Sequence, residues 1–160
     1  MVLRQLWAPW RLEYIQSADQ QEACIFCSAS GLEDEAGLVV HRGEHAFVLL
    51  NRYPYASGHL MVAPYRHEGD FGALVADEAV EIHRLAARAT DVLRKVMAPQ
   101  GYNLGWNLGR IAGAGVVEHV HQHIVPRWAG DTNFMPVLAD VKVMPEALEA
   151  TRRKLAEAWR

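Results

Sequence analysis

Three features of this 160-residue chain predict an α+β fold with a mostly antiparallel sheet. They are short apolar strands separated by turn-rich stretches, one long amphipathic helix, and a striped C-terminal segment. Leu38–His41 is a short β-branched run. His45–Asn51 (HAFVLLN) is apolar and leads into the turn-rich stretch Asn51–Gly58, which holds Pro54 and Gly58. His59–Ala63 (HLMVA) is a third strand, stopped by Pro64. The two longer strands flank a short connection and are expected to pair antiparallel. Asp77–Met97 is the main helix, with Asp77 as its cap and Glu78 in the first turn. Ile82, Leu85, Ala86, Ala89, Leu93, Val96 and Met97 recur at spacings of three and four and form one apolar stripe. Pro99 and Gly101 stop it. Tyr102–Asn107 is strand-like, and Gly109–Gly115 is a Gly/Ala loop. Glu118–Val125 alternates as a strand does and ends at Pro126. Pro145 suits the first turn of a last helix, with Leu148, Leu155 and Trp159 on one side.

Composition narrows the function. Apolar residues make up 51% and charged residues 22%, the globular range. The length fits a single domain spanning residues 1–160. Sixteen basic against 19 acidic residues give −3, with no basic run to follow a nucleic-acid polymer. No apolar stretch is long enough for a membrane span, and residues 1–20 carry no apolar signal segment. With only Cys24 and Cys27 there is no disulfide framework, so a cytoplasmic location is expected.

The sharpest local feature is His119-Val120-His121-Gln122-His123-Ile124-Val125-Pro126. Residues i, i+2 and i+4 of a strand share a face, which would align the three imidazoles at roughly 7 Å intervals. With histidine at 8 of 160 residues, this spacing arises by chance about 0.02 times per chain. The plainer alternatives are a polar strand face or a metal cluster without chemistry. Just upstream, Gly109, Gly113 and Gly115 lie in a loop that can turn N–H groups toward an anion, or can be a simple surface turn. Neutral imidazole is nucleophilic near pH 7 and forms phosphoryl-type covalent intermediates, and a neighbouring imidazole can carry the proton.

This strand resembles the motif of the histidine triad (HIT) family, His-φ-His-φ-His-φ-φ. So do Cys24-Ile25-Phe26-Cys27, Asn51-Arg52-Tyr53-Pro54-Tyr55-Ala56-Ser57-Gly58-His59 and Pro64-Tyr65-Arg66-His67. The likeness runs from about Cys24 to Trp128, with flanking segments docked on that core. Trp7–Arg11 and Arg127–Pro136 are similar to the prokaryotic branch related to diadenosine tetraphosphate phosphorylases and hydrolases. The resemblance implies a HIT-like fold, a homodimer and a small nucleotide substrate. His121 would attack the α-phosphorus, His123 would contact phosphate or the leaving group, His119 would orient the row, and His59 would support it. Asn51 would hold the ribose, Ile25 and Phe26 would sandwich the base, and Asn107, Gly113 and Gly115 would approach phosphate. Some relatives complete a structural zinc site, which here would be Cys24, Cys27, His67 and His119; no catalytic metal is required. Gln122 stands where the pattern favours an apolar residue, and Ala114-Gly115-Val116 lacks the polar side chains common there. The leading expectation is an enzyme that cleaves dinucleoside polyphosphates, with phosphorolysis favoured over hydrolysis and Arg110 or Arg127 as the charge for incoming phosphate. The alternatives are a hydrolase of dinucleoside polyphosphates or nucleoside phosphoramidates, a purine-nucleotide-binding module with little turnover, and a zinc-only structural protein. His41, His45 and His83 are expected at the surface. Trp106, Trp128 and Trp159 are expected in core or interface. Asp131 and Asn133 could reach substrate or belong to a turn.

Overall fold

The computed structural model describes residues 23–131 and 146–160. Trp7–Arg11, Asn133 and Pro145 lie outside them, as does the stretch from Thr132 to Pro136. The elements run α1 (Ile25–Gly31), β1 (Val39–Arg42), β2 (Ala46–Leu50), β3 (Leu60–Pro64), α2 (Ala76–Met97), β4 (Gly101–Trp106), β5 (Gln122–Arg127) and α3 (Leu148–Trp159). Among the described residues five strands form one sheet in the order β1-β2-β3-β5-β4, with every neighbour antiparallel. The expected β2–β3 hairpin is present, from Ala46↔Pro64 to Leu50↔Leu60.

Both sheet faces are covered, which explains why β2 and β3 are apolar throughout rather than alternating with polar residues. Ala46, Val48, Leu50, Leu60, Val62 and Ile124 face α2 and α3. Phe47, Leu49, Met61 and Ala63 face α1, against Phe26 and Ala29. The stripe of α2 therefore meets its own sheet: Ile82, Leu85, Ala86, Ala89 and Leu93 are buried, joined by Val92. In α3, Leu155 and Trp159 are buried on the same side.

The sequence reading had no helix at Ile25–Gly31, where α1 stands, and its strand ends shift by a residue; two further boundaries differ for a clear cause. Asp77 is not the cap. Val75 flanks the helix, and its N–H donates to the Glu78 carboxylate at 3.0 Å, so Asp77 sits within the first turn. The last strand begins at Gln122, not Glu118, and passes through Pro126 to Arg127. Continuing the Val62↔Gln122 register would put Pro64 opposite Val120. Pro64 has no N–H to give, and its carbonyl accepts from His119 Nε2 at 2.9 Å. Pro126 is tolerated because β3 reaches only to Ile124, leaving β5 with a sheet neighbour on one side there.

Glu81 joins α2 to the β1–β2 turn. Its carboxylate accepts the N–H groups of Glu44, His45 and Ala46 at 2.9, 2.5 and 2.8 Å. Partial burial pushes this carboxyl up, and the three donors outweigh it, so the net shift is downward. His83 is exposed as expected and His45 is half-buried. His41 is half-buried too, its ring stacked on Trp159 at 5.0 Å, and burial lowers its pKa. Trp106 packs at the edge of the core, and Trp128 donates its indole N–H to the Met97 carbonyl at 3.3 Å.

Candidate active site

Strand parity puts the site on the α1 side of the sheet. Met61 faces α1 and lies opposite His123 in the ladder, so His123 shares that face. His59, two residues before Met61, and Asn51, two after Leu49, follow the same alternation. The imidazoles are closer than an extended strand would hold them: His121 and His123 have ring centroids 4.8 Å apart. His119–His121 has left the ladder, which lets the chain contract. His59 and His119 are fully buried, whereas His121 and His123 keep 6% and 8% exposure.

Hydrogen-bond partners assign the ring protons. His121 Nδ1 lies 2.8 Å from the His119 carbonyl, which only accepts, so Nδ1 carries the hydrogen and Nε2 keeps its lone pair. The Tyr55 N–H donates to His59 Nδ1 at 3.0 Å, so His59 Nε2 carries the hydrogen. That N–H donates to His123 Nδ1 at 3.0 Å, which leaves the His123 proton on Nε2. The result is a nucleophilic nitrogen on His121 beside a proton-bearing nitrogen on His123. Burial holds the His121 imidazole below the usual histidine range, against the upward pull of its bond to the His119 carbonyl. Burial thus favours the neutral ring.

Asn107 stands beside this pair, its Nδ2 3.5 Å from the Gly113 carbonyl and 3.4 Å from His123 Nε2; with the hydrogen on that nitrogen the second contact is donor to donor and not a hydrogen bond. The glycine loop turns through positive φ at Gly109 (83°) and Gly113 (91°), a conformation glycine adopts without steric cost. The Gly113 and Ala114 N–H groups donate within the loop, to Arg110 and Gly109 carbonyls at 2.9 and 3.2 Å. Those two donors are thus not the open anion cradle the sequence suggests; Gly115 is half-buried at the loop's end. Arg127 is not aimed at the site either. It is held by Asp131 at 2.5 and 3.1 Å and by Asn103 at 2.9 Å. Asp131 is correspondingly a turn residue.

A cleft of about 220 Å³ opens on the same face between α1, the following loop and β2, with Ile25, Leu32, Asn51, Arg52, Tyr53 and Met61 on its walls. Asn51 is held by its Oδ1, which accepts the Tyr53 N–H at 2.9 Å. Phe26 departs from its expected place. It is fully buried, with its ring 5.1 Å from His119 and 4.6 Å from His121, and it supports the histidines instead of walling the cleft. The sequence reading passed over Tyr53 and over Tyr55, whose ring lies 4.6 Å from His59 and 5.7 Å from His123. Both tyrosines lie inside the Asn51–His59 motif, which was the available signal.

Cys24, Cys27, His67 and His119 converge, with one ligand atom from each lying within 4.8 Å of the others. Cys24 Sγ is 3.3 Å from His119 Nδ1, and Cys27 Sγ is 3.4 Å from His67 Nδ1 and 3.7 Å from His119 Nδ1. Tetrahedral zinc with ordinary Zn–S and Zn–N bonds requires S···N edges of about 3.5 Å, so the donor set fits. Pinning His119 Nε2–H to the Pro64 carbonyl turns Nδ1 toward the sulfurs. Burial raises the Cys24 thiol, but the His119 hydrogen bond and charge together with the Cys27 and Phe26 backbone N–H groups outweigh it, leaving it at about 6.

Over residues 33–130 the sequence matches the HIT domain family. It is 41% identical to a Mycobacterium tuberculosis protein named AP-4-A phosphorylase, covering 98% of this chain and 85% of that one. The Schizosaccharomyces pombe adenosine 5'-monophosphoramidase is 31% identical over 84% of this chain and 96% of its own. A hypothetical histidine triad nucleotide-binding protein from Sulfolobus tokodaii superposes with a TM-score of 0.68 at 27% identity, covering 85% of this chain and 91% of that one. A Zn-bound histidine triad family protein from Mycobacterium smegmatis shares the fold, with a TM-score of 0.68 at 24% identity over 86% and 93% of the two chains. This chain belongs to the HIT-domain family and is an enzyme.

Proposed function

We propose that the enzyme splits dinucleoside polyphosphates, diadenosine tetraphosphate among them, by nucleotidyl transfer through His121. The observation that carries this is the 2.8 Å contact of His121 Nδ1 with the His119 carbonyl, which frees Nε2 for attack. The relative named AP-4-A phosphorylase supports the substrate class.

In this reading Ile25 and Tyr53 flank the base and Asn51 meets the ribose hydroxyls. His121 Nε2 attacks the α-phosphorus, forming a P–N bond as the P–O bond to the departing polyphosphate breaks. His123 Nε2–H donates a hydrogen bond to the leaving oxygen, which departs as the polyphosphate anion, and His59 holds that donor from behind. The acceptor then displaces His121 from phosphorus; phosphate attacks through an ionised oxygen, and an attacking water loses its proton to solvent. Inorganic phosphate as acceptor gives ADP and ATP from diadenosine tetraphosphate; water gives AMP and ATP. We assign phosphate, on the relative's name, with Arg110 as the cation at the loop. A phosphoramidate substrate is the second reading, favoured by the Schizosaccharomyces pombe relative.

Cys24, Cys27, His67 and His119 would hold zinc in a structural role, fastening the start of α1 to the histidine segment; no transfer step passes through it. Among the described residues β4 pairs only with β5 and exposes Leu104, the edge we assign to a second copy in a homodimer. Incubation with diadenosine tetraphosphate, with and without phosphate, tests the reaction. ADP plus ATP at a rate that rises with phosphate supports phosphorolysis. AMP plus ATP at a phosphate-independent rate means hydrolysis, and no turnover means a binding module.

A further inference from the structure

The tautomer of His121 depends on one peptide unit outside the β-ladder. The carbonyl of His119 and the N–H of Val120 belong to the same planar group and point in opposite directions. On one side the carbonyl accepts from His121 Nδ1 at 2.8 Å. On the other the N–H donates to the Glu68 carbonyl at 2.7 Å. Glu68 therefore sets the direction in which His121 finds its acceptor. A side chain at Gly69 would meet Glu118 Cα at 3.0 Å and the Val117 carbonyl at 3.1 Å, so the two segments lie in direct backbone contact.

Arg66 holds Glu68. Its Nη1 donates to the Glu68 carboxylate at 2.8 Å, while its Nε and Nη2 fork onto Glu78 at 2.9 and 2.8 Å. Nη2 also reaches the Ala73 carbonyl at 2.8 Å. The Glu78 side chain is only 7% exposed and sits in the first turn of α2, an element packed rigidly on the sheet. Isolated surface ion pairs contribute little, but a bidentate pair on a buried carboxylate within a network has fixed geometry. The Arg66 hydrogen bonds also hold the Glu78 carboxyl below its usual range.

We propose that Arg66 and Glu78 are positioning residues for the nucleophile: they anchor the Glu68 loop, which orients the His119–Val120 peptide and thereby fixes His121 with its hydrogen on Nδ1. The consequence for turnover rests on the nucleotidyl-transfer reading; the consequence for the tautomer does not.

Two variants test it in the zinc-loaded protein. Arg66→Lys keeps the charge and loses the fork. Glu78→Gln keeps an acceptor for the Val75 N–H and loses the charge. Arg94→Ala, which breaks an exposed pair with Asp91, is the control. Long-range proton–nitrogen spectra of 15N-histidine protein should show His121 as a single Nδ1–H tautomer in the wild type and the control. In both variants the Nε2–H form should appear beside it. With diadenosine tetraphosphate, kcat should fall roughly tenfold or more while KM is preserved. If both variants keep a pure Nδ1–H His121, the proposal is overturned even if their melting temperatures drop. A wild type without turnover, but with the tautomer shift in the variants, sinks the nucleotidyl-transfer reading and leaves the positioning role standing.

Discussion

A histidine attacks phosphorus only through a nitrogen that has a lone pair, and the contact of His121 Nδ1 with the His119 carbonyl leaves that lone pair on Nε2. His121→Ala should therefore reduce turnover by several orders of magnitude, with AMP affinity changed by less than a few-fold, because the cleft walls remain. Near-wild-type turnover would refute the assignment. At this scale the sequence is informative about side and silent about protons. Alternation alone places His119, His121 and His123 together, and the family motif adds His59 and Asn51. The tautomers depend on the Tyr55 N–H and the His119 carbonyl, backbone groups whose directions no side-chain pattern encodes. Phe26 illustrates the same limit. Adjacent residues of a helix point about 100° apart, so when Ile25 faces the cleft Phe26 must turn inward.

Among the described α-helices α1 is the shortest, and it meets the histidine segment through Phe26 and through the Cys/His cluster. Cys24→Ser should lose the metal and lower the melting temperature, with activity falling as a consequence; a metal content below a tenth of an equivalent in wild type prepared without chelator would contradict the zinc assignment. The Glu81 clamp gives a separate stability prediction. Glu81→Gln should cost about 1–3 kcal/mol near neutral pH, measured by urea unfolding. The folded-state pKa of Glu81 is depressed, so its contribution is full above the ordinary carboxylate range and lost as pH falls through the folded value. The gap between wild type and variant should thus narrow as pH falls below the ordinary carboxylate range. A gap unchanged by acid would show that the carboxylate charge plays no part. Element type was legible for the strands, α2 and α3, from short apolar runs and period-3.6 apolar spacing; α1, seven residues long, is too short to show a period, and the sequence reading had no helix there. Element ends were not. Alternation runs on through residues 119–121, but a strand also needs a partner, and Pro64 ends the pairing. The helix start moved to Ala76 because a carboxylate reaching back from Glu78 substitutes for a capping side chain.

Across the whole molecule, a sheet covered on both faces divides stability from chemistry. α2 and α3 pack on one face, and the histidines, the cleft and the cysteine cluster share the other. Core substitutions under α2, such as Leu93→Ala, should lower stability by about 2–5 kcal/mol and leave kcat nearly unchanged, as read from melting curves and steady-state rates. The α+β class and this two-sided plan follow from the apolar β2 and β3 flanking a turn and from the α2 stripe. The acceptor does not follow, because water and phosphate would both meet the same intermediate. The most direct measurement of the central claim is the mass of intact protein quenched in acid-free conditions during turnover of diadenosine tetraphosphate without added phosphate. The account predicts a gain equal to one adenylyl group, mapped by fragmentation to His121 and absent in His121→Ala. An unmodified protein during rapid turnover, or an adenylyl group on any other residue, would contradict it.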